Sequence, residues 1–135
     1  MNLINLTEFN AVLGSLVVGA GLEGETNFPN LPRTNQTPRL EVSYSDGAGD
    51  AVGLKGAIVR SAGLISFVYV TPAGVDMRQG YEQLAKLQPY FQFGTRLSLP
   101  LCGATVLIKS VPFVRHGYEA GKDWHTPMIL KYEAE

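Results

Sequence analysis

The sequence predicts an α+β fold: a single layer of mainly antiparallel β-sheet, about four to five strands, covered by two α-helices. Three observations predict it. Apolar residues recur at helical spacing near the N-terminus and again after residue 76. Between and beyond those segments the apolar period drops to two, or the run is apolar throughout. Finally, the order is helix, three strands, helix, two or more strands, with no strict alternation of strand and helix.

Phe9, Val12, Leu13, Leu16 and Val17 fall three and four residues apart and so share one face of a first helix. Asn5 with Glu8 three residues later fits a capping box, and Gly19 or Gly21 supplies the stop. From Glu23 to Pro38 no period holds, and Pro29, Pro32 and Pro38 remove backbone donors at short intervals. This segment is expected to be a loop, long enough to suggest a partner-docking or mobile role.

At Arg39 the period becomes two, with Leu40, Val42 and Tyr44 on one side and Glu41, Ser43 and Ser45 on the other. Asp46-Gly47-Ala48-Gly49-Asp50 reads as a turn and Val52 to Val59 as a second strand, in which Gly53 and Gly56 mark a weak point or bulge. Ser61-Ala62-Gly63 then turns into a third strand, Leu64 to Thr71, apolar on both faces except at Ser66 and Thr71.

Pro72-Ala73-Gly74 ends that strand, and Asp76 with Gln79 caps a second helix whose buried stripe is Met77, Tyr81, Leu84 and Leu87. Pro89 closes it, and Tyr90, Phe91 and Phe93 are expected to pin the chain to the core. Ala104 to Ile108 and the alternating Met128, Leu130 and Tyr132 are strands. Val111 and Phe113 continue the first of these or form a short strand of their own, and Arg115 to Asp123 is a polar loop.

A chain of 135 residues is expected to form one domain, residues 1–135, with a core large enough to need no disulfide. Cys102 is the lone cysteine, which excludes an internal disulfide and fits a reducing compartment. The apolar stretch Val12 to Ala20 falls short of the roughly 20 residues that cross a bilayer, so no membrane role is expected. Net charge is -1, and the basic residues, from Arg33 and Lys55 to Lys122 and Lys131, form no run of the kind a phosphate backbone attracts. Charged residues make up only 17% of the chain, a thin share that favours a surface partly covered by partners.

The search for chemistry leaves little. His116, Asp123 and His125 are the best metal candidate, yet their spacing matches no zinc motif. Cys102 with His125 is the only thiol and base pairing on offer, without a sequence signature, and Cys102 reads better as core packing. The glycines between Ser45 and Asp50 lack the helix that a phosphate loop requires, and Asp46 and Asp50 flank a solvated turn. Trp124 reads as an anchor for the final strand rather than a stacking platform. The expectation is therefore no catalytic, cofactor-binding or metal residue, no cofactor, and a function in binding other proteins. A small ligand-binding domain or enzyme built on Cys102, His116, Asp123 and His125 is the alternative from a different class.

Certain segments carry a resemblance: the loop Asn27-Phe28-Pro29-Asn30, the strand Pro38-Arg39-Leu40-Glu41-Val42, then Arg60-Ser61-Ala62-Gly63-Leu64-Ile65 and Val68-Tyr69-Val70-Thr71-Pro72-Ala73-Gly74. A helix near Asp76 and a strand after Trp124 complete the series. In this order the chain resembles the tail terminator, or tail completion, proteins of long-tailed bacteriophages and prophages, with Phe28 where such loops usually carry Trp or another aromatic. The resemblance implies a homo-oligomeric ring, commonly a hexamer, on the head-proximal end of the tail tube. That ring stops tube polymerisation, offers a surface to head-tail connector or neck proteins, lets DNA pass without specific binding, and uses no cofactor. It also implies assembly in the host cytoplasm. Arg60, Tyr69 and Pro72 are expected to hold the meander and the start of the second helix. A neighbouring head-tail adaptor or minor tail protein shares the same fold expectations.

Overall fold

The computed structural model describes residues 6–29, 31, 33–46, 50–52, 58–74 and 78–134. Helix α1 spans Leu6–Ala20 and α2 spans Arg78–Leu87, continued by a single 3-10 turn at Gln88–Tyr90 where Pro89 interrupts the α-helical bonding. The strands are β1 (Glu25–Asn27), β2 (Arg39–Asp46), β3 (Asp50–Val52), β4 (Ile58–Pro72), β5 (Arg96–Leu99), β6 (Ala104–Ile108), β7 (Tyr118–Ala120) and β8 (Asp123–Ala134). All belong to one sheet ordered β1-β2-β4-β8-β6-β5, with β3 added to β4 and β7 to β8. Every pairing is antiparallel except that of β1 with β2. The expected layer is present, but the expected second strand divides: Val52 ends β3, Ile58 and Val59 open β4, and residues 53–57 lie outside the described residues. The unanticipated strands β1, β5 and β7 have three or four residues each, too short to leave a period in the sequence.

The spine is the pairing of β4 with β8, in register from Ser61↔Ala134 to Pro72↔Asp123. It changes the reading of two segments. Ser61-Ala62-Gly63, expected to be a turn, lies inside β4, because β8 pairs with it there, Ser61↔Ala134, Ala62↔Glu133 and Gly63↔Tyr132. The polar segment before residue 123 folds as a hairpin, β7 to β8, around Gly121 and Lys122, and β8 begins at Asp123, five residues before the apolar alternation starts. Asp46 and Asp50 are strand residues, while the glycines between them lie outside the described residues, as do Gly53, Gly56 and the capping residues Asn5 and Asp76.

One face of the sheet is buried beneath the helices. Leu40 and Val42 from β2, Ile65, Phe67 and Tyr69 from β4, and Met128, Leu130 and Tyr132 from β8 form its floor, and Phe9, Leu13 and Val17 come down from α1. Phe9 stacks on Tyr44 at 5.0 Å and meets Tyr132 edge-on at 5.7 Å, geometry that adds to the gain from burial. Gly21 ends α1 at φ 71°, its N–H bonding back to the carbonyl of Val17.

Helix α2 presents Gly80, Gln83, Leu84 and Leu87 to the sheet, and Tyr81, expected in the buried stripe, faces outward. The reason is proximity. The helix lies so close to β8 that a β-carbon at position 80 would collide with the Thr126 side chain, so the contact line runs through the one residue lacking a side chain. Of the aromatic group that follows, Phe91 is fully buried against Phe67 at 5.1 Å, whereas Tyr90 and Phe93 remain exposed.

The proline-rich loop is fixed at four places. Asn27 makes two hydrogen bonds to the backbone of Thr34, at 2.9 and 3.0 Å. Asn10 of α1 donates to the carbonyl of Pro29, Arg39 donates to that of Asn35, and Phe28 is buried against Gly14. The Thr37-Pro38 peptide is cis. Tyr69, one of the residues expected to hold the meander, donates from its hydroxyl to the carbonyl of Glu23 at 2.9 Å, while the Glu23 N–H donates to Gln83 of α2 at 3.0 Å. Burial and the nearby Glu23 push the Tyr69 hydroxyl up to about 12, so it stays a donor across the working pH range.

Replacing Gly80 by valine is expected to destabilise the fold by about 1–3 kcal/mol through forced separation of α2 from β8. Urea denaturation checks this as a lower midpoint with an unchanged slope.

Candidate functional site

The other face of the sheet carries no helix among the described residues. Its composition follows from strand alternation: residues on the side opposite Leu40, Ile65 and Met128 must point away from the core. Four rows result, Arg39-Val70-His125-Tyr118, Glu41-Val68-Pro127, Ser43-Ser66-Ile129 and Ser45-Leu64-Lys131. A solvated sheet face is normally polar at these positions. Here Leu64, Val68, Pro127 and Ile129 make its centre apolar and half-buried.

The chain between β6 and β7 runs along the outer edge of β8 and raises a wall beside that centre. Arg115 N–H bonds to the carbonyl of Pro127, Lys109 N–H to that of Lys131, and Lys131 N–H to the Ser110 hydroxyl. Leu64, Ile129 and Lys131 with Ser110, Val111, Phe113 and Arg115 thereby enclose an open groove of about 430 Å³. Phe113 is 69% exposed, a large aromatic held toward water without a covering side chain.

One end of this face is polar and tied down. The Arg39 guanidinium, 10% exposed, contacts Glu41 at 3.1 Å and lies 3.9 Å from Asp123, and Arg33 reaches Glu41 at 3.3 Å. Burial raises the Glu41 carboxyl, but the hydrogen bond and charge of Arg39, joined by Arg33, outweigh it and hold the group below its ordinary value. Tyr118 stacks on His125 with 5.3 Å between ring centres.

The residues singled out for chemistry do not assemble. Cys102 sits in the β5–β6 turn, its Sγ 3.7 Å from the Leu99 carbonyl, beside the C-terminal end of β8. Asp123 and His125 lie at the opposite end of β8, Asp123 toward Arg39 and His125 against Tyr118. His116 is exposed in the connection before β7. Among the described residues no group of three His, Cys, Asp or Glu side chains is placed to hold a metal ion. Among the described residues no helix is long and apolar enough to cross a membrane. Trp124 serves as the anchor expected of it: its indole packs under the Gly117 backbone, and its buried Nε1 has no partner among the described residues.

A second exposed feature escaped sequence reading. Glu8, buried in the first turn of α1, accepts hydrogen bonds from the N–H groups of Leu101 and Cys102 at 2.7 and 3.1 Å, and so fixes a turn whose Leu101 is 89% exposed. Burial raises the Glu8 carboxyl, and the bonds from Cys102 and Leu101 outweigh that and hold it below its ordinary value. The partners are 93 and 94 residues apart, so no local pattern announces them.

The fold is thus a curled sheet with two helices on one side and an apolar centre on the other, with no converging set of reactive groups among the described residues. The chain belongs to the phage tail terminator protein family, which matches residues 24–132. Membership makes it a component of a viral tail. A solved structure with a TM-score of 0.76, 16% identity, and coverage of 96% of this chain and 92% of its own shares the fold. No curated protein matches the sequence.

Because Glu8 and Glu41 bind protons less readily folded than unfolded, their contribution to stability is complete above the ordinary carboxyl value of 4.5 and disappears as pH falls through their lowered folded values. Thermal melts between neutral and acid pH should show a falling melting temperature below 4.5, and Glu8→Gln should flatten part of that limb.

Proposed function

We propose that this protein ends the growth of a phage tail tube: copies assemble as a ring, a hexamer, on the head-proximal end of the finished tube. One side of the ring contacts the tail tube protein. The other offers a joining surface to head-tail connector or neck proteins. The observation that carries this reading is the family match over residues 24–132, more than three quarters of the chain.

The surface chemistry supports it. A closed ring needs two different patches per subunit, each matched to the other, and the molecule carries separate exposed apolar features on the open sheet face and at α1. The sheet also has two strand edges, along β2 beyond its short pairing with β1 and along β5, with no further strand partner among the described residues. Net charge of -1 without a basic run suits a ring through which DNA passes without being gripped. The ring requires no cofactor, and its subunits assemble in the host cytoplasm before joining the virion.

Purified protein added to assembled tail tubes should bind one end and stop elongation, as seen by electron microscopy of labelled subunits. Binding along the whole lattice, or none at the ends, sinks the reading. Phe113→Glu, at an exposed site, should keep the unfolding free energy within about 0.5 kcal/mol of wild type and abolish end capping.

A further inference from the structure

The outward face of α1 lacks what a solvated helix normally shows. Its exposed positions Thr7, Ala11 and Ser15 follow one another at four residues and lead to Val18 and Gly19, forming a single stripe with no charge on it. Val18 is 81% exposed. The only charged residue in the helix, Glu8, is turned into the β5–β6 turn.

Charge gathers at the C-terminal end instead. No basic residue lies in the last turn, the negative end of the helix dipole, and exposed Glu23 follows it. Lys86 approaches Gly21 there from the side of α2.

The groove on the opposite side of the sheet is the counterpart. Its floor and wall are Leu64, Ile129, Val111 and Phe113, and its rim is basic, with exposed Arg115 and Lys131 and, next to Lys131, exposed Lys109. Glu133, half-buried, is the acidic group near that rim.

We propose that the groove of one copy receives the outward stripe of α1 from the next copy, with Glu23 set against Lys131, Lys109 and Arg115. Helix and groove lie on opposite sides of the sheet, so the contact is head-to-tail and repeats from copy to copy. Small side chains on the stripe let the helix seat closely, as in other complexes where a helix fills a groove. This interface rests on the ring reading above and specifies which faces build the ring.

The test places the photoreactive residue p-benzoylphenylalanine at the exposed position Ser15. Isotope-labelled and unlabelled copies are mixed, irradiated both as concentrated free protein and on capped tail tubes, and the linked peptides are mapped. Links between labelled and unlabelled chains, from position 15 to residues 110–115 or 129–131, are expected in at least one of the two samples. Links only to the tube protein, links to another part of the chain, or no intermolecular link in either sample overturn the proposal. Val18→Glu and Lys131→Glu should each weaken self-association by about tenfold with an unchanged melting temperature, and unchanged association in both also overturns it. Failure of end capping with the expected links present would remove the terminator reading and leave the interface standing. Intact capping with links elsewhere would do the reverse.

Discussion

The long antiparallel ladder between β4 and β8 is the constraint on which the rest of the molecule depends. Twelve consecutive residue pairs fix which side of each strand faces the helices, because a slip of one residue would exchange every inward side chain for an outward one. With Phe67, Tyr69, Met128 and Leu130 committed to the helical side, Leu64, Val68, Pro127 and Ile129 are necessarily committed to the other. The apolar open face and the packed core are thus two consequences of one register.

The helices are fixed to this ladder by contacts that join distant parts of the chain. Gly80 lets α2 settle on Thr126, Glu8 holds the β5–β6 turn, and the Gly21-to-Glu25 connection is tied to α2 through Gln83 and to β4 through the Tyr69 hydroxyl. Asn10 donates to Pro29, and the Tyr44 hydroxyl, pushed upward by burial and by Tyr132, donates to Asn10 at 2.6 Å. Loop, helix and sheet are therefore held as one arrangement. A protein that works by shape needs its exposed parts already ordered, since ordering them on contact would subtract from the binding free energy.

The buried polar groups have largely found structural partners. Arg39 joins Asn35, Glu41 and Asp123, Asn27 closes the proline-rich loop, and Glu8 caps a turn. Such groups are consumed in holding backbone in place and are not poised to exchange protons with a substrate. Large apolar side chains also remain uncovered at the surface: Phe113, Val111, Val18 and Leu101. Exposed groups of this kind gain by being covered, which directs the molecule toward assembly.

The sequence by itself determined the fold class, both helices, the strands at Leu40 to Tyr44, Leu64 to Thr71 and Met128 to Tyr132, and the family resemblance, because a buried stripe or alternation is written in adjacent residues. It also separated Cys102 from any recognisable partner set. Only the tertiary structure decided that Ser61 to Gly63 continues a strand, that residues 118–125 form a hairpin, and that Tyr81 points outward. Backbone pairing with a remote strand carries these segments whatever their own residues prefer, and the nearness of Thr126 sets the rotation of α2. The groove belongs to the same class: Leu64, Phe113 and Ile129 are ordinary apolar residues in the chain, and only the sheet register and the course of the 109–115 segment bring them to one open surface.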